Sequence, residues 1–158
     1  MPPPLLMDPA SLDFDQCVAG PEAIGRMNPQ RHEFALLDRV VFQDLDAGVF
    51  AGYHDAKPDA WWARAHIPGR PIFPGVLMIE SAAQLASYIC HVVLGREDDF
   101  LGFAGVDDVK FRGMVTPPAR FVMVGKARSV KPRRTVCEIQ GFVDDTMVFE
   151  GVITGMFM

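Results

Sequence analysis

His66 and Glu80 frame the one stretch of this chain whose residue types and spacing suit proton transfer. Between them run Ile67-Pro68-Gly69-Arg70-Pro71-Ile72-Phe73-Pro74-Gly75-Val76-Leu77-Met78-Ile79, apolar or rigid apart from Arg70. Pro68, Pro71 and Pro74 fix φ and remove three backbone donors, so the segment reads as a stiff loop, neither helix nor central strand. Gly75 then opens a long apolar segment predicted to be helical, with Glu80 about a turn and a half inside it. A lone loop histidine is ordinarily a surface residue; prolines that fix its backbone and an acid nearby set this one apart. Its reference pKa of about 6.5 suits a base near neutral pH. A glutamate buried in an apolar helix is raised in pKa by desolvation and keeps a proton to give. Two groups pushed toward opposite roles make an acid/base pair.

The start of the predicted helix adds a third part. Gly75 and Val76 offer free backbone N–H groups at the positive end of the helix dipole, suited to a carbonyl oxygen gaining negative charge. A base, an acid and an oxyanion site without an evident nucleophile suit proton abstraction next to a carbonyl, followed by loss of a hydroxyl. Other chemistries lack their parts. Ser81 has no Gly-x-Ser-x-Gly elbow, and no cysteine sits beside an evident base. His32, His54, His66 and His91 have no zinc-ligand spacing, and no Gly-rich loop has phosphate-binding form. No metal or nucleotide cofactor is implied.

The elements that must hold these groups are one helix and a set of strands. The helix is predicted over Gly75–Leu94, and a shorter one over Pro21–Met27 with proline at its start. Strands are predicted over 34–43, 49–54, 100–109, 110–115, 120–130, 135–143 and 147–157, with turns at Asp46-Ala47-Gly48 and Asp144-Asp145-Thr146. One long apolar helix against five or more antiparallel strands is an α+β layer architecture, with the helix wrapped by sheet rather than laid on a surface. At about 100° per residue, Glu80, Gln84, Ser87 and His91 fall in a stripe roughly 60° wide. Glu80 and Gln84, beside the His66 loop, read as a functional polar line; Ser87 and His91 read as a solvated edge. Residues 1–20 mix proline, aspartate and small residues without periodicity and are expected to be a poorly ordered extension before a single domain over 21–158.

Composition sets the wider bounds. A chain of 158 residues is one domain by length, and 49% apolar with 22% charged residues is globular rather than disordered. A net charge of −5 gives no pull toward nucleic acid or anionic membrane. Cys17, Cys90 and Cys137 are odd in number and far apart, which suits unpaired thiols in a cytoplasmic protein. Residues 1–8 show no secretory signal pattern. The apolar run 76–94 approaches transmembrane length, but Glu80, Gln84 and His91 interrupt it, so it is expected to be a buried helix.

The stretch from His66 resembles the 3-hydroxyacyl-[acyl-carrier-protein] dehydratases of the FabZ/FabA type. Their motif reads roughly His-Phe-Pro-Gly-x-Pro-x-x-Pro-Gly-x-x-x-x-Glu/Asp-x-x-x-Gln, and here every spacing is kept from His66 through Pro74, Gly75 and Glu80 to Gln84. Upstream, residues 29–40 are similar to Pro-His-Arg-Tyr-Pro-Phe-Leu-Leu-Val-Asp-Arg-Val, and residues 103–112 to the family's strand after the helix. The resemblance implies a hot-dog fold without cofactor, with the 75–94 helix as sausage in a curled sheet. It implies a homodimer or higher homo-oligomer in which His66 of one subunit meets Glu80 of the other. His66 would remove the C2 proton of a 3-hydroxyacyl thioester and Glu80 would assist departure of the C3 hydroxyl. The Gly75 or Val76 N–H would hold the thioester oxygen, and Gln84 would orient Glu80. Glutamate at position 80 favours the dehydratase-only type over the dehydratase/isomerase.

The chain departs from the family pattern at three places. Ala65 replaces a glycine, Trp61-Trp62 replaces paired phenylalanines, and Pro117-Pro118-Ala119 stands for Pro-Gly-Asp. The implied partner is an acidic acyl carrier protein. Lys110, Arg112, Arg120, Lys126, Arg128, Lys131, Arg133 and Arg134 crowd a stretch with few acids, read as a solvated sheet face or, alternatively, a docking patch. Two other functions share the fold: an acyl thioesterase, and a non-catalytic acyl-binding subunit that pairs with an active homologue.

Overall fold

The computed structural model describes residues 2–158. Six strands, β1 (Arg39–Asp44), β2 (Val49–Ala56), β3 (Leu101–Phe111), β4 (Ala119–Val130), β5 (Arg134–Val143) and β6 (Thr146–Phe157), form one antiparallel sheet in the order β1-β2-β4-β5-β6-β3. Helix α2 (Gly75–Leu94) lies in the concave side of the sheet, and the short α1 (Pro21–Met27) packs beside it. This is the expected α+β hot-dog arrangement. The helix is apolar nearly all round because it is wrapped: Leu77, Met78, Leu85, Ile89 and Cys90 are buried against Phe50, Phe121, Met123, Ile139, Phe149 and Ile153. The one helix long and apolar enough to cross a bilayer is therefore the core helix.

The sheet face alternates with period two. Phe121 and Met123 point to the helix, whereas Val122 and Val124 join Val41, Ala51, Tyr53 and Phe142 in a second cluster on the opposite face. Residues 2–19, expected to be poorly ordered, lie against that second cluster through Leu6, Met7, Leu12 and Phe14. Gln140 fastens them: its Oε1 accepts from the Leu6 N–H and its Nε2 donates to the Pro4 carbonyl, both at 2.9 Å. The four apolar side chains have no periodicity because they follow a strap, not a helix or strand.

Two strand boundaries differ from the sequence expectation. The chain is not in a strand from Phe34; His32–Phe34 is a single 3-10 turn, and β1 starts at Arg39. The Phe34–Leu36 backbone is satisfied by side chains of α2 instead of a neighbouring strand, so no ladder forms there. The two strands expected over 100–115 are one, β3, whose pairing with β6 continues across irregularities at Phe103/Gly105 and Asp107/Lys110. Asp108, at φ +52, lies within the second of these.

Candidate active site

The loop that carries His66 is built by local rules and then nailed to the core. The Arg70 N–H donates to the Ile67 carbonyl at 2.9 Å across Pro68-Gly69, and Gly69 has φ +81. Proline followed by a positive-φ glycine fits a type II turn, which glycine takes without steric cost. Trp62 and Phe73 anchor the two ends of the loop, both almost fully buried, with ring centroids 5.2 Å apart and Phe73 running on to Phe121 at 5.9 Å. The Phe73 N–H also donates to the Val115 carbonyl at 2.8 Å. On this frame the exposed His66 places Nδ1 2.8 Å from the Ile72 carbonyl. A carbonyl only accepts, so Nδ1 carries the proton and the neutral ring keeps its lone pair on Nε2. Nε2 can therefore take a proton.

Helix α2 opens directly after Pro74 with no side-chain cap. Its first amides, on Gly75 and Val76, are the ones an α-helix leaves without intrahelical partners. Val76 is 70% exposed, and a Cβ at Gly75 would lie 3.0 Å from the Phe111 ring, so glycine lets that ring close over the helix start.

Glu80 is half-buried, and desolvation holds its carboxyl above the ordinary glutamate range, partly offset by a hydrogen bond from Gln84. That bond, Gln84 Nε2 to Glu80 Oε2, measures 2.9 Å. Gln84 is itself buried and fully used: Nε2 also donates to the Phe34 carbonyl and Oε1 accepts from the Leu36 N–H, each at 2.8 Å. The Ser81 hydroxyl donates to the Leu36 carbonyl at 2.8 Å. Gln84 was expected to orient Glu80; its contacts with Phe34 and Leu36, and that of Ser81 with Leu36, were not foreseen, because neither residue type carries a sequence signal of such distant partners.

Glu80 opens onto a cavity of about 160 Å³ between α2 and the ends of β3, β5 and β6. Ser87 lines it, so Ser87 does not belong to a solvated edge as expected. Nor does His91, which is 1% exposed, with Nδ1 2.7 Å from the Ser87 carbonyl and Nε2 2.9 Å from the Asp99 carbonyl. The polar stripe is turned inward because the sheet wraps the helix on that side too. His66 is not among the residues lining this cavity.

Residues 28–152 match the FabA-like domain model. The chain belongs to this family. Among curated relatives, the 3-hydroxyacyl-[acyl-carrier-protein] dehydratase FabZ of Methylobacterium radiotolerans is 36% identical over 137 residues, covering 82% of this chain and 84% of the relative. The FabZ of Desulfotalea psychrophila is 31% identical over 137 residues, covering 82% and 87%. The family resemblance read from the His66–Gln84 motif is thus shown, and it makes the chain a member of a hydro-lyase family. Among solved structures, the dehydratase heterocomplex ApeI:P of Xenorhabdus doucetiae superposes with a TM-score of 0.71 at 14% identity, covering 85% of this chain and 90% of that one. A mutant thioesterase from Pseudomonas aeruginosa gives 0.67 at 14% identity, covering 89% and 95%. These two similarities establish the hot-dog fold.

Within this FabA-like chain three of the eight basic residues of that stretch have acidic partners. Arg112 pairs with Glu150, Arg120 with Asp55 and Arg128 with Glu138, acids brought in by neighbouring strands and so invisible to a count along the sequence. The Lys131–Arg134 turn lies beside Arg96, just past the C-terminal end of α2, and Arg96 donates to the Pro132 carbonyl. A helix of 20 residues spans about 30 Å, and the His66 loop feeds its other end. Among the described residues no cluster of His, Cys, Asp and Glu would hold a metal ion.

Proposed function

We propose that this protein dehydrates (3R)-3-hydroxyacyl-[acyl-carrier-protein] to the trans-2-enoyl thioester in fatty-acid or related lipid biosynthesis, in the cytoplasm. His66 Nε2 takes the C2 proton, and protonated Glu80 gives its proton to the C3 hydroxyl. The C3–O bond breaks to release water as the C2=C3 double bond forms. The Gly75 or Val76 N–H holds the thioester oxygen as it gains charge. The observation that carries this reading is the fixed tautomer of His66, whose Nδ1 is committed to Ile72 and whose Nε2 is left as a base. Desolvation of Glu80 supports the complementary role, a carboxyl that keeps its proton.

The two groups meet across the subunit interface of a homodimer or higher homo-oligomer. Edge strand β3 with the Met114 that follows it, the start of α2 and the His66 loop expose Phe103, Val106, Phe111, Met114, Val76 and Ile67, an apolar set suited to a second copy of this chain. The carrier protein is acidic, and the exposed Arg64 and Arg70 flank His66, where its prosthetic arm must enter.

The test follows hydration of crotonyl and longer 2-enoyl thioesters by loss of enoyl absorbance, beside His66→Ala. Loss that needs His66 and releases no thiol is expected. Thiol release would make the protein a thioesterase. No turnover, on carrier-bound substrates either, would make it an acyl-binding subunit.

A further inference from the structure

We propose that His91 is held as the doubly protonated imidazolium, and that its second proton makes it a pH-sensitive latch between the end of α2 and the start of β3. His91 takes no part in the chemistry proposed above, yet it is 1% exposed and both ring nitrogens are committed. Nδ1 lies 2.7 Å from the Ser87 carbonyl and Nε2 2.9 Å from the Asp99 carbonyl. A carbonyl offers only lone pairs, so each contact needs an N–H on the ring. A neutral imidazole has one. Either neutral tautomer therefore presses a ring lone pair on a carbonyl oxygen in a site closed to water, where a polar group without a partner is costly. The Ser87 hydroxyl, 3.4 Å from Nδ1, is too distant to stand in for the carbonyl. Only the imidazolium satisfies both contacts.

The surroundings accept the charge. His91 sits in the last turn of α2, where carbonyls without helical partners form the negative end of the helix dipole. The Phe157 ring of β6 packs on the imidazole and the Arg96 guanidinium covers that ring, which keeps water out. Charged groups come from two segments: Arg96, Glu97, Asp98 and Asp99 between α2 and β3, and Arg26 and Arg31 from α1 and the loop after it. Arg96 pairs with Asp99 and Arg26 with Glu97, while Arg31 donates to the Gly25, Asn28 and Gln30 carbonyls. Three acids and three bases balance, so no excess of positive charge opposes the imidazolium. The latch has a rigid side and a yielding one. The Ser87 carbonyl belongs to the helix; the Asp99 carbonyl belongs to the exposed segment that feeds β3. Loss of the Nε2 proton releases that segment and with it Phe100 to Phe103, which line the cavity beside Glu80. Because the folded state holds the extra proton, the latch stabilises the fold at low pH and its contribution is lost as pH rises.

Nitrogen NMR of the histidine rings counts the protons directly, and the exposed His32 serves as the internal standard. His91 should carry a proton on both nitrogens and keep them to a higher pH than His32 does. As its second proton leaves, the unfolding temperature should fall, by several degrees more in the parent than in His91→Gln, which keeps a donor but does not titrate. A single protonated nitrogen on His91 at a pH where His32 carries two would overturn the imidazolium. Equal pH dependence in parent and variant would overturn the latch. If the variant fails to fold, amide hydrogen exchange at Leu101 and Gly102 in the parent decides, once corrected for its ordinary dependence on pH. It should quicken at least tenfold as His91 loses its proton, and no change would overturn the latch. None of these readouts needs turnover, so they stand apart from the test of the dehydratase reading.

Discussion

Gln84 Nε2 lies 2.9 Å from Glu80 Oε2 and 2.8 Å from the Phe34 carbonyl, so one buried amide holds both the acid and the segment that precedes β1. The same side chain accepts from the Leu36 N–H, which makes it a hinge pin between α2 and the chain entering the sheet.

Replacing this amide should therefore damage stability and chemistry together. Gln84→Leu leaves the Leu36 N–H and the more exposed Phe34 carbonyl without these partners, at about 1–3 kcal/mol for the buried Leu36 group. It also frees Glu80 to leave its position. Thermal unfolding should shift down by several degrees, and kcat should fall at least tenfold with a smaller change in KM. A variant that unfolds earlier yet keeps full kcat would restrict Gln84 to a structural role.

Glu80→Gln should separate activity from stability in the opposite sense. The carboxyl is raised in the folded protein, chiefly by desolvation, so between its unfolded and folded pKa values the folded state binds the extra proton. Stability from that proton is full below the unfolded value and is lost as pH rises through the folded one. Above this window the ionised carboxylate is a net burden, which an amide of the same shape removes. The variant should lose at least a hundredfold in kcat. At neutral pH it should unfold at the same or a higher temperature than the parent, and the difference should vanish in acid. Dehydration by the parent should weaken as pH rises through the same window, because the acid form is the one used.

Much of this was legible in the sequence because it rests on local rules. The stiff proline loop after His66, the helix from Gly75 to Leu94 and the strand over 120–130 are each set by residues next to one another. What was not legible depends on distant partners. Ser87 and His91 lie on the same stripe as Glu80, and only the wrap of the sheet turns them inward. Phe34 to Leu37 has a strand's apolar content, yet Gln84 and Ser81 take the backbone groups a strand would need. Arg112, Arg120 and Arg128 look like unpaired charge until cross-strand neighbours bring Glu150, Asp55 and Glu138 beside them.

If the site is shared between two copies, two inactive variants should rescue one another. Mixing His66→Ala with Glu80→Gln under conditions of subunit exchange creates mixed dimers in which one of the two sites has both groups intact. With random exchange half the dimers are mixed, so recovery should approach about a quarter of parental activity. Exchange must be shown separately, by labelled subunits. No recovery despite proven exchange would place both groups in one chain.

The strap over the outer sheet face should also prove more than decoration. Tyr53, Val122, Val124 and Phe142 would lie bare without Leu6, Met7, Leu12 and Phe14, and Phe14 meets Tyr53 edge-on at 5.9 Å beneath the Arg120 guanidinium. Gln140→Leu removes both hydrogen bonds that fasten the strap and should cost about 1–3 kcal/mol. Deleting residues 2–14 should go further, lowering the unfolding temperature and driving self-association through the exposed apolar face. Because that face lies on the opposite side of the sheet from α2, the remaining soluble protein should keep its hydration rate on a four-carbon thioester. Unchanged unfolding and a monodisperse product after the deletion would mean the strap contributes nothing to the fold; loss of the rate in correctly folded protein would mean it reaches the active site.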